Sequence, residues 1–287
     1  MKQMMWMLAL ATLFAACEKD DNGVSRTPQE VQNALTQRYP DAVGVEWETR
    51  GGYYVAEFTI PGSASTADNS AWFDHTGLWY MTEYDIPFTA LPEAVQQAFR
   101  AGEYAAWEID DVDQLEREGM ETLYVIEVEG RDADGREQDV DLYYAPDGVL
   151  VKTVVDAESG YDYADFIPEA LVDAVQSFVE QRYPHARILE IGGERGLTEI
   201  DILDGTTLRE LYFEADGTWV RTETELRPEE LPQAVRQAFA SSEYARYGIE
   251  DAEYIETPDK NYYRLETEVN DRDIYLDFMA DGTPITI

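Results

Sequence analysis

The segment between Asp132 and Asp139 has the most metal-like spacing in the chain. Asp132, Asp134, Glu137 and Asp139 alternate with other residues, and calcium prefers such oxygen ligands. The segment lacks the full spacing and the terminal bidentate glutamate of an EF-hand loop. Asp-Gly at 134–135 is also a common hairpin turn, because glycine supplies the positive φ that tight turns require. The pattern favours a plain hairpin and leaves calcium open as a cofactor.

Residues that could perform catalysis are sparse. The two histidines, His75 in a glycine turn and His185 after a predicted helix end, have no accompanying Gly-x-Ser-x-Gly nucleophile elbow. They also do not belong to the closely spaced set of three or four ligands that zinc requires. Asp and Glu together number 60, so accidental carboxylate pairs are certain and do not by themselves indicate a glycosidase. We therefore predict that the protein is not an enzyme, with a carboxylate-based hydrolase as the alternative.

Residues 1–16 have the pattern of a signal peptide. Lys2 gives the positive start, Met4–Phe14 forms an apolar core, and Ala15-Ala16 supplies the small residues before a processing site. This apolar core is too short to span a membrane. The pattern predicts export from the cytoplasm.

The residues that follow predict lipidation. Cys17 is the only cysteine, and its position after Phe14-Ala15-Ala16 resembles the lipobox of bacterial lipoproteins. The resemblance implies cleavage before Cys17 and its acylation, with residues 17–26 forming the lipidated cysteine and tether. Glu18–Asp21 is similar to the lysine-plus-acidic signal that sends lipoproteins of Bacteroidetes to the outer face of the outer membrane. It implies a surface-exposed outer membrane lipoprotein, with a periplasmic location as the alternative.

The charge of the chain excludes some partners. The formal net charge is −39, and so acidic a surface repels the phosphate groups of nucleic acids and anionic lipids. We expect no nucleic-acid partner and membrane contact only through the lipid anchor. The charge is consistent either with solubility outside the cell or with a surface for calcium or a cationic partner.

Two sequence repeats divide the chain into similar halves. Leu91–Phe99 returns as Leu231–Phe239, and Arg38–Ala42 is matched by Arg182–Ala186. The order predicts four units, A-B-A-B, that arose when an A-B pair was duplicated. The aperiodic stretch Asp156–Asp165 separates the pairs. We therefore predict two domains, at 27–158 and 159–287.

Each unit is predicted to contain one helix and four strands. Apolar residues in Leu91–Phe99 recur at helical spacing and form one stripe. Equivalent patterns predict helices over Pro28–Tyr39, from Pro168, and over Leu231–Phe239. The strand assignments include a short strand near Trp107–Asp110 and a final strand at Pro284–Ile287. The predicted fold class is α+β, with helices on one face of each antiparallel sheet.

Glycine turns fix which sheet face the helices cover. In each unit an aromatic residue lies four positions before a turn glycine, and an apolar residue lies two positions earlier on the same face. The aromatic residues are Phe73, Tyr144, Phe213 and Phe278, and their same-face neighbours are Ala71, Leu142, Leu211 and Leu276. The opposite face then carries Trp72, Tyr143, Tyr212, Tyr275 and Asp277, among acids such as Asp141 and Glu210.

The aromatic residues on this helix-free face suggest a binding surface. Exposed rings with a polar rim are typical of protein-binding patches. We take Trp72, Tyr143, Tyr212 and Tyr275 as candidate partner-binding residues. The alternative is that these rings pack on one another across strands without binding a partner.

This arrangement resembles the beta-lactamase-inhibitor-like, PepSY-like lipoproteins of Bacteroidetes. The resemblance covers nearly all of Thr27–Ile287, through the Leu-Pro-x-Ala-Val-x-x-Ala-Phe helix and the aromatic-x3-Gly hairpin. It implies that two units form one domain with a continuous sheet, helices on one face and a free opposite face. The family name implies protein binding or peptidase inhibition by analogy of fold.

The sequence thus predicts a non-catalytic, lipid-anchored binding protein outside the cytoplasm. Its expected partner is a protein or peptide that contacts the helix-free sheet face. The alternative is a glycan- or calcium-binding surface lipoprotein in nutrient capture, where the aromatic rings would stack on sugars. The oligomeric state stays open.

Overall fold

A computed structural model describes residues 27–62, 69–131, 135–155, 171–270 and 272–285. Within these ranges the helices are α1 (Gln29–Arg38), α2 (Glu93–Ala101), α3 (Asp173–Arg182) and α4 (Gln233–Ala240). The first eight strands are β1 (Val43–Arg50), β2 (Tyr53–Thr59), β3 (Asn69–Phe73), β4 (Trp79–Asp85), β5 (Glu108–Arg117), β6 (Leu123–Arg131), β7 (Glu137–Tyr144) and β8 (Leu150–Val155). The others are β9 (Arg187–Glu194), β10 (Leu197–Asp204), β11 (Thr207–Phe213), β12 (Trp219–Glu225), β13 (Asp251–Glu256), β14 (Asn261–Glu268) and β15 (Asp273–Phe278).

The strands form two antiparallel meanders. One sheet has eight strands in the order β1 to β8, and the other has seven in the order β15 to β9. The signal peptide 1–16, the lipidated tether 17–26 with Cys17, and the stretch Asp156–Asp165 lie outside the described residues. The coarse prediction of an α+β protein with antiparallel sheets is confirmed by these two sheets and four helices.

The helices pack through the apolar stripe that the sequence predicts. In α2, Val95 and Phe99 are buried, and they share a core cluster with Leu91 and with Leu142 and Tyr144 of β7. Complete burial of a valine or phenylalanine side chain contributes roughly 1.5–3 kcal/mol. Three further clusters pair α1, α3 and α4 with their own strands. The predicted helix-side residues are therefore correctly assigned.

Turn glycines allow the hairpins to approach these helices closely. Gly148 has a φ of +87°, and a Cβ built on it would lie 2.6 Å from the carbonyl oxygen of Ala94. Gly282 has a φ of +83° and would place its Cβ 2.6 Å from the carbonyl oxygen of Ala234. A side chain at either position would force the hairpin away from its helix. Glycine is thus required for both backbone conformation and packing.

Two strand predictions need correction. The strand predicted at Trp107–Asp110 is the ten-residue β5, which ends at Arg117, because Val112 and Leu115 continue the pairing with β6. The final strand predicted at Pro284–Ile287 is wrong for the described residues. There the chain makes an isolated bridge between Phe278 and Pro284, and the Ile285 N–H donates to the Asp277 carbonyl oxygen at 2.8 Å. Pro284 has no N–H with which to extend a strand ladder.

Candidate functional site: an acidic face at the junction of the sheets

Three of the four candidate aromatic residues are buried. Trp72 and Tyr143 have no exposed surface and Tyr212 is 3% exposed, whereas Tyr275 is 56% exposed. Trp72 and Tyr143 do lie away from the helices, in a core cluster that contains no helix residue. The face was therefore correctly assigned, but its expected exposure is wrong for Trp72, Tyr143 and Tyr212.

The helix-free face of the first sheet is buried because the second half of the chain joins it. Trp72 and Tyr143 share their apolar cluster with Leu189 of β9 and Leu203 of β10. The junction also includes a hydrogen bond from the Glu121 N–H to the Ile188 carbonyl oxygen at 2.9 Å. Apolar residues at the helix-free positions of β2, β4 and β6, namely Val55, Met81, Leu123 and Val125, are the sequence signal for this core.

The helix-free face of the second sheet is acidic. Strand pairing places Asp201 directly opposite Glu190 on one side and Glu210 on the other, and Glu210 opposite Glu223. We call Glu190, Asp201, Glu210 and Glu223 the acid ladder. Like charges directly opposite each other across strands destabilise a sheet. The pairing of these strands therefore brings acidic side chains into unfavourable contact on this face.

Three members of the acid ladder have polar neighbours that offset this cost. Lys152 of β8 places its Nζ 3.1 Å from Glu190 Oε2, across the junction of the sheets. Arg221 Nε lies 2.6 Å from Glu223 Oε1. The Tyr212 hydroxyl lies 2.7 Å from Glu210 Oε2 and 3.0 Å from Glu199 Oε1. The buried Tyr212 thus contributes to this face through its hydroxyl group, which hydrogen-bonds to two carboxylates, and not through an exposed ring.

Asp201 is the least compensated member of the ladder. Its Oδ1 is shielded from solvent and makes no hydrogen bond within the described part of the chain. Burial, followed by the charges of Glu190, Glu210 and Glu199, raises the pKa of Asp201 to about 8, and Lys152 opposes this shift. Asp201 is therefore mostly protonated at neutral pH, although a cation close to it would favour the ionised form.

The acidic face continues across β13 to β15. Burial, with the charges of Glu223 and Asp251, raises the pKa of Glu253 to about 7. Arg264 Nε and Nη2 donate to the two carboxylate oxygens of Asp277 at 2.9 and 3.1 Å. Arg264 also lies 5.7 Å from the centre of the Tyr275 ring. At this end the arginine neutralises one carboxylate and supports the one exposed candidate aromatic residue.

A groove follows the junction beside the acid ladder. Its larger cavity, of about 300 Å³, lies between the first sheet, at Leu123, Val151 and Lys152, and the second, at Leu189 and the acids. A neighbouring cavity of about 140 Å³ shares Val151, Leu189, Asp201 and Glu210 with it. We call these two cavities the junction groove. Its lining includes apolar residues from both sheets and carboxyl groups of the second sheet.

The described part of the structure adds no support to the calcium hypothesis. Asp132 and Asp134 lie outside the described residues. Glu137 pairs with Arg131, and Asp139 lies within β7 opposite Glu129. Among the described residues, no three His, Cys, Asp or Glu side chains are arranged to hold a metal ion. Calcium binding stays an untested expectation.

Most of the acid ladder is not predicted from the sequence. Alternation along β11 places Glu210 on the helix-free face, but Glu190, Asp201 and Glu223 are not among the predicted site residues. Alternation in Thr198–Leu203 could have placed Asp201 on that face. The position of Glu223 opposite Glu210 depends on a bulge between β11 and β12, which shifts the register between Tyr212 and Phe213 and is not evident from the letters.

The fold defines the class of protein: α+β, with two antiparallel sheets whose helices contact one face. The model of the beta-lactamase-inhibitor-like, PepSY-like family matches residues 52–152 and 198–285. The chain belongs to this family.

Several solved structures are similar to one half of the chain. A DUF2874 family protein from Bacteroides ovatus is 32% identical, with 49% of this chain and 95% of that chain covered and a TM-score of 0.42. A BLIP-like protein from Bacteroides fragilis is 33% identical, with coverages of 46% and 89% and a TM-score of 0.41. A candidate periplasmic protein from Bacteroides eggerthii is 25% identical, with coverages of 48% and 95% and a TM-score of 0.42.

A search of curated proteins finds no match to the sequence. Among the helices in the described ranges, none has the length and apolar character needed to cross a membrane.

Proposed function

We propose that this protein is a non-catalytic, lipid-anchored binding protein outside the cytoplasm that engages a protein or peptide through the acidic face of its second sheet. The observation that carries the proposal is the acid ladder, in which four carboxylates face one another on neighbouring strands. A partner that supplies positive charge would remove this repulsion. Binding would therefore be favoured by electrostatic complementarity as well as by contact area.

The proposal modifies the sequence-based hypothesis in one respect. The buried Trp72 and Tyr143 belong to the core, so of the aromatic residues we assign direct contact with the partner to the exposed Tyr275. Tyr212 would act through the carboxylates that it contacts. The two A-B pairs would have separate roles. The first sheet would cover one edge of the binding surface, and the second sheet would carry the residues that contact the partner.

The proposed location follows from the first residues of the sequence. Residues 1–16 would be removed, and lipid on Cys17 would hold the protein at the outer membrane. The acidic segment after Cys17 favours the cell surface, with the periplasm as the alternative. A membrane fraction labelled with radioactive palmitate tests the anchor, because a Cys17→Ala variant should lose both label and membrane association.

Affinity capture followed by titration tests the binding function. A soluble Asp20–Ile287 form would be used to capture proteins from the native envelope, and each captured protein would then be purified and titrated. The triple variant D201N/E210Q/E223Q replaces three carboxyl groups of the ladder. The control E46Q/E103Q/E243Q replaces three exposed carboxyl groups elsewhere.

We expect the ladder variant to bind the purified partner at least tenfold more weakly, whereas the control binds as the wild type does. Equal binding by all three forms would overturn the proposal. So would the absence of any envelope protein that binds the wild-type form.

A further inference from the structure

We propose that the cleft between α3 and the β3–β4 hairpin is an anchor site for one large apolar side chain, a phenylalanine or leucine, that lies beside lysine or arginine in a peptide segment of a partner. The cleft has a volume of about 490 Å³. Its lining includes Leu78, Trp79 and Tyr80 from the first half of the chain and Leu171 and Ile188 from the second. We call this cavity the α3 cleft. The inference goes beyond the proposed function, because this site is separate from the acidic face.

The α3 cleft lies on the opposite side of β9 from the acid ladder. Ile188 and Ile191 of β9 pack in the core cluster that contains Val179 of α3, and all three residues also line the cleft. Glu190, which lies between the two isoleucines in the sequence, instead pairs with Lys152 across the junction. The cleft is thus a second surface at the place where the two halves of the chain meet. Ligand pockets occur preferentially at such interfaces between domains.

Several apolar side chains of the cleft are accessible to solvent. Leu78 is 55% exposed, and Trp79, Tyr80, Leu171 and Ile188 are half-buried. These side chains are therefore available for contact with a partner. Exposed apolar patches with a polar rim mark interaction sites. An apolar side chain of the partner would remove from water a surface that the folded chain itself leaves exposed.

The aromatic residues of the cleft are held in place by other parts of the first half. Trp79 Nε1 donates to Thr82 Oγ1 at 2.8 Å, and the guanidinium carbon of Arg38 lies 3.2 Å from the centre of the Trp79 ring. The Tyr80 ring packs edge-to-face against Tyr53, with 5.3 Å between the ring centres. Because these rings already have fixed positions, little side-chain ordering would oppose binding.

The charges around the cleft determine which apolar partner suits it. In the described part of the chain its charged lining residues are Glu118 and Glu180, both exposed, and no lysine or arginine lines it there. Glu180 accepts a hydrogen bond from Gln176 Nε2 at 2.9 Å. The net charge of −39 also repels a second copy of the chain and the acidic groups of lipids. A basic peptide with an apolar anchor is therefore the complementary occupant.

Peptide titration tests the chemistry of the occupant. The probe is acetyl-Lys-Lys-Phe-Lys-Lys-amide. One control peptide has alanine in place of the phenylalanine, and another has glutamate in place of every lysine. Titration calorimetry would use the soluble Asp20–Ile287 form at one ionic strength. We expect the probe to bind about tenfold more tightly than the alanine peptide, because the ring is buried, and the glutamate peptide to bind most weakly. Equal binding of the probe and the alanine peptide would overturn the inference, since net charge alone would then explain the binding.

Two matched leucine variants test the location. Leu78→Ser removes an exposed apolar side chain from the cleft, whereas Leu150→Ser removes one from β8 that is 41% exposed and does not line the cleft. L78S should bind the probe about fivefold more weakly, with its binding of the alanine peptide and its melting temperature unchanged. L150S should match the wild type. Wild-type affinity in L78S, or the same loss in both variants, would overturn the inference.

Other occupants of the cleft would give different results. If the wild type forms a dimer in analytical ultracentrifugation that L78S abolishes, a second copy occupies the cleft and the inference is wrong. If sodium laurate binds in a Leu78-dependent manner and the probe does not, the cleft holds an acyl chain and the inference is also wrong. The ladder variant D201N/E210Q/E223Q should bind the probe within about twofold of the wild type, because salt screens charges on a distant surface. The two proposals can therefore fail independently.

Discussion

Replacing Asp201 by Asn should stabilise the protein increasingly as pH rises. The carboxyl of Asp201 has its pKa raised to about 8 in the folded protein, compared with about 3.9 in an unfolded chain. Between these values the folded state holds a proton that the unfolded state has released. The contribution of Asp201 to stability therefore falls as pH rises through this window, at up to about 1.4 kcal/mol per pH unit.

The magnitude follows from these two pKa values. From pH 6 to pH 8 the free energy of unfolding of the wild type should fall by about 2 kcal/mol relative to that of the Asn variant. The loss is smaller than the limiting slope would give, because the slope decreases as the pH approaches the folded-state pKa. The Asn amide can donate to the neighbouring Glu190, Glu199 or Glu210, so the substitution does not introduce an isolated polar group.

Urea unfolding followed by tryptophan fluorescence at pH 6, 7 and 8 measures this difference. The free energy of unfolding of D201N relative to wild type should increase by roughly 1–2 kcal/mol over the series. E103Q, at an exposed site, should parallel the wild type. Parallel pH profiles for wild type and D201N would refute the assignment of Asp201 as a protonated, poorly compensated member of the ladder.

Two further substitutions test the packing. Trp72→Ala should lower the free energy of unfolding by about 3–5 kcal/mol because the ring is fully buried. Tyr275→Ala should change it by less than about 0.5 kcal/mol, since this ring is exposed. Similar losses for the two variants in thermal melting experiments would contradict the burial pattern. Gly148→Ala should cost more than about 2 kcal/mol, since strain at positive φ adds to the clash with Ala94. Gly205→Ala, with positive φ but open space, should cost only about 1 kcal/mol, and equal losses would show that the close approach is unimportant.

Local patterns in the sequence predict the helices and their packing side well. The stripe in Leu91–Phe99 is the buried side of α2, because helical periodicity alone decides which residues can face a sheet. The positions before each turn glycine were also correct, since alternation along a strand fixes the face. These features depend on residues within a few positions of one another.

Features that depend on distant parts of the chain were not predicted. Burial of Trp72 and Tyr143 requires Leu189 and Leu203 in the same cluster, and alternation within one strand contains no information about what covers its outer face. The acid ladder likewise requires the register of four strands and one bulge. The acidic composition was evident from the sequence, but the place where its charges meet was not.

Site-specific photocrosslinking in living cells tests the central claim most directly. A photoreactive residue would replace Glu225, which is exposed at the end of β12 beside the acid ladder, or Glu103, which is exposed elsewhere. We predict a crosslinked envelope protein from position 225 that disappears when D201N/E210Q/E223Q is introduced, and none from position 103. The same crosslinked protein from both positions, or one from position 225 that persists in the ladder variant, would contradict the account.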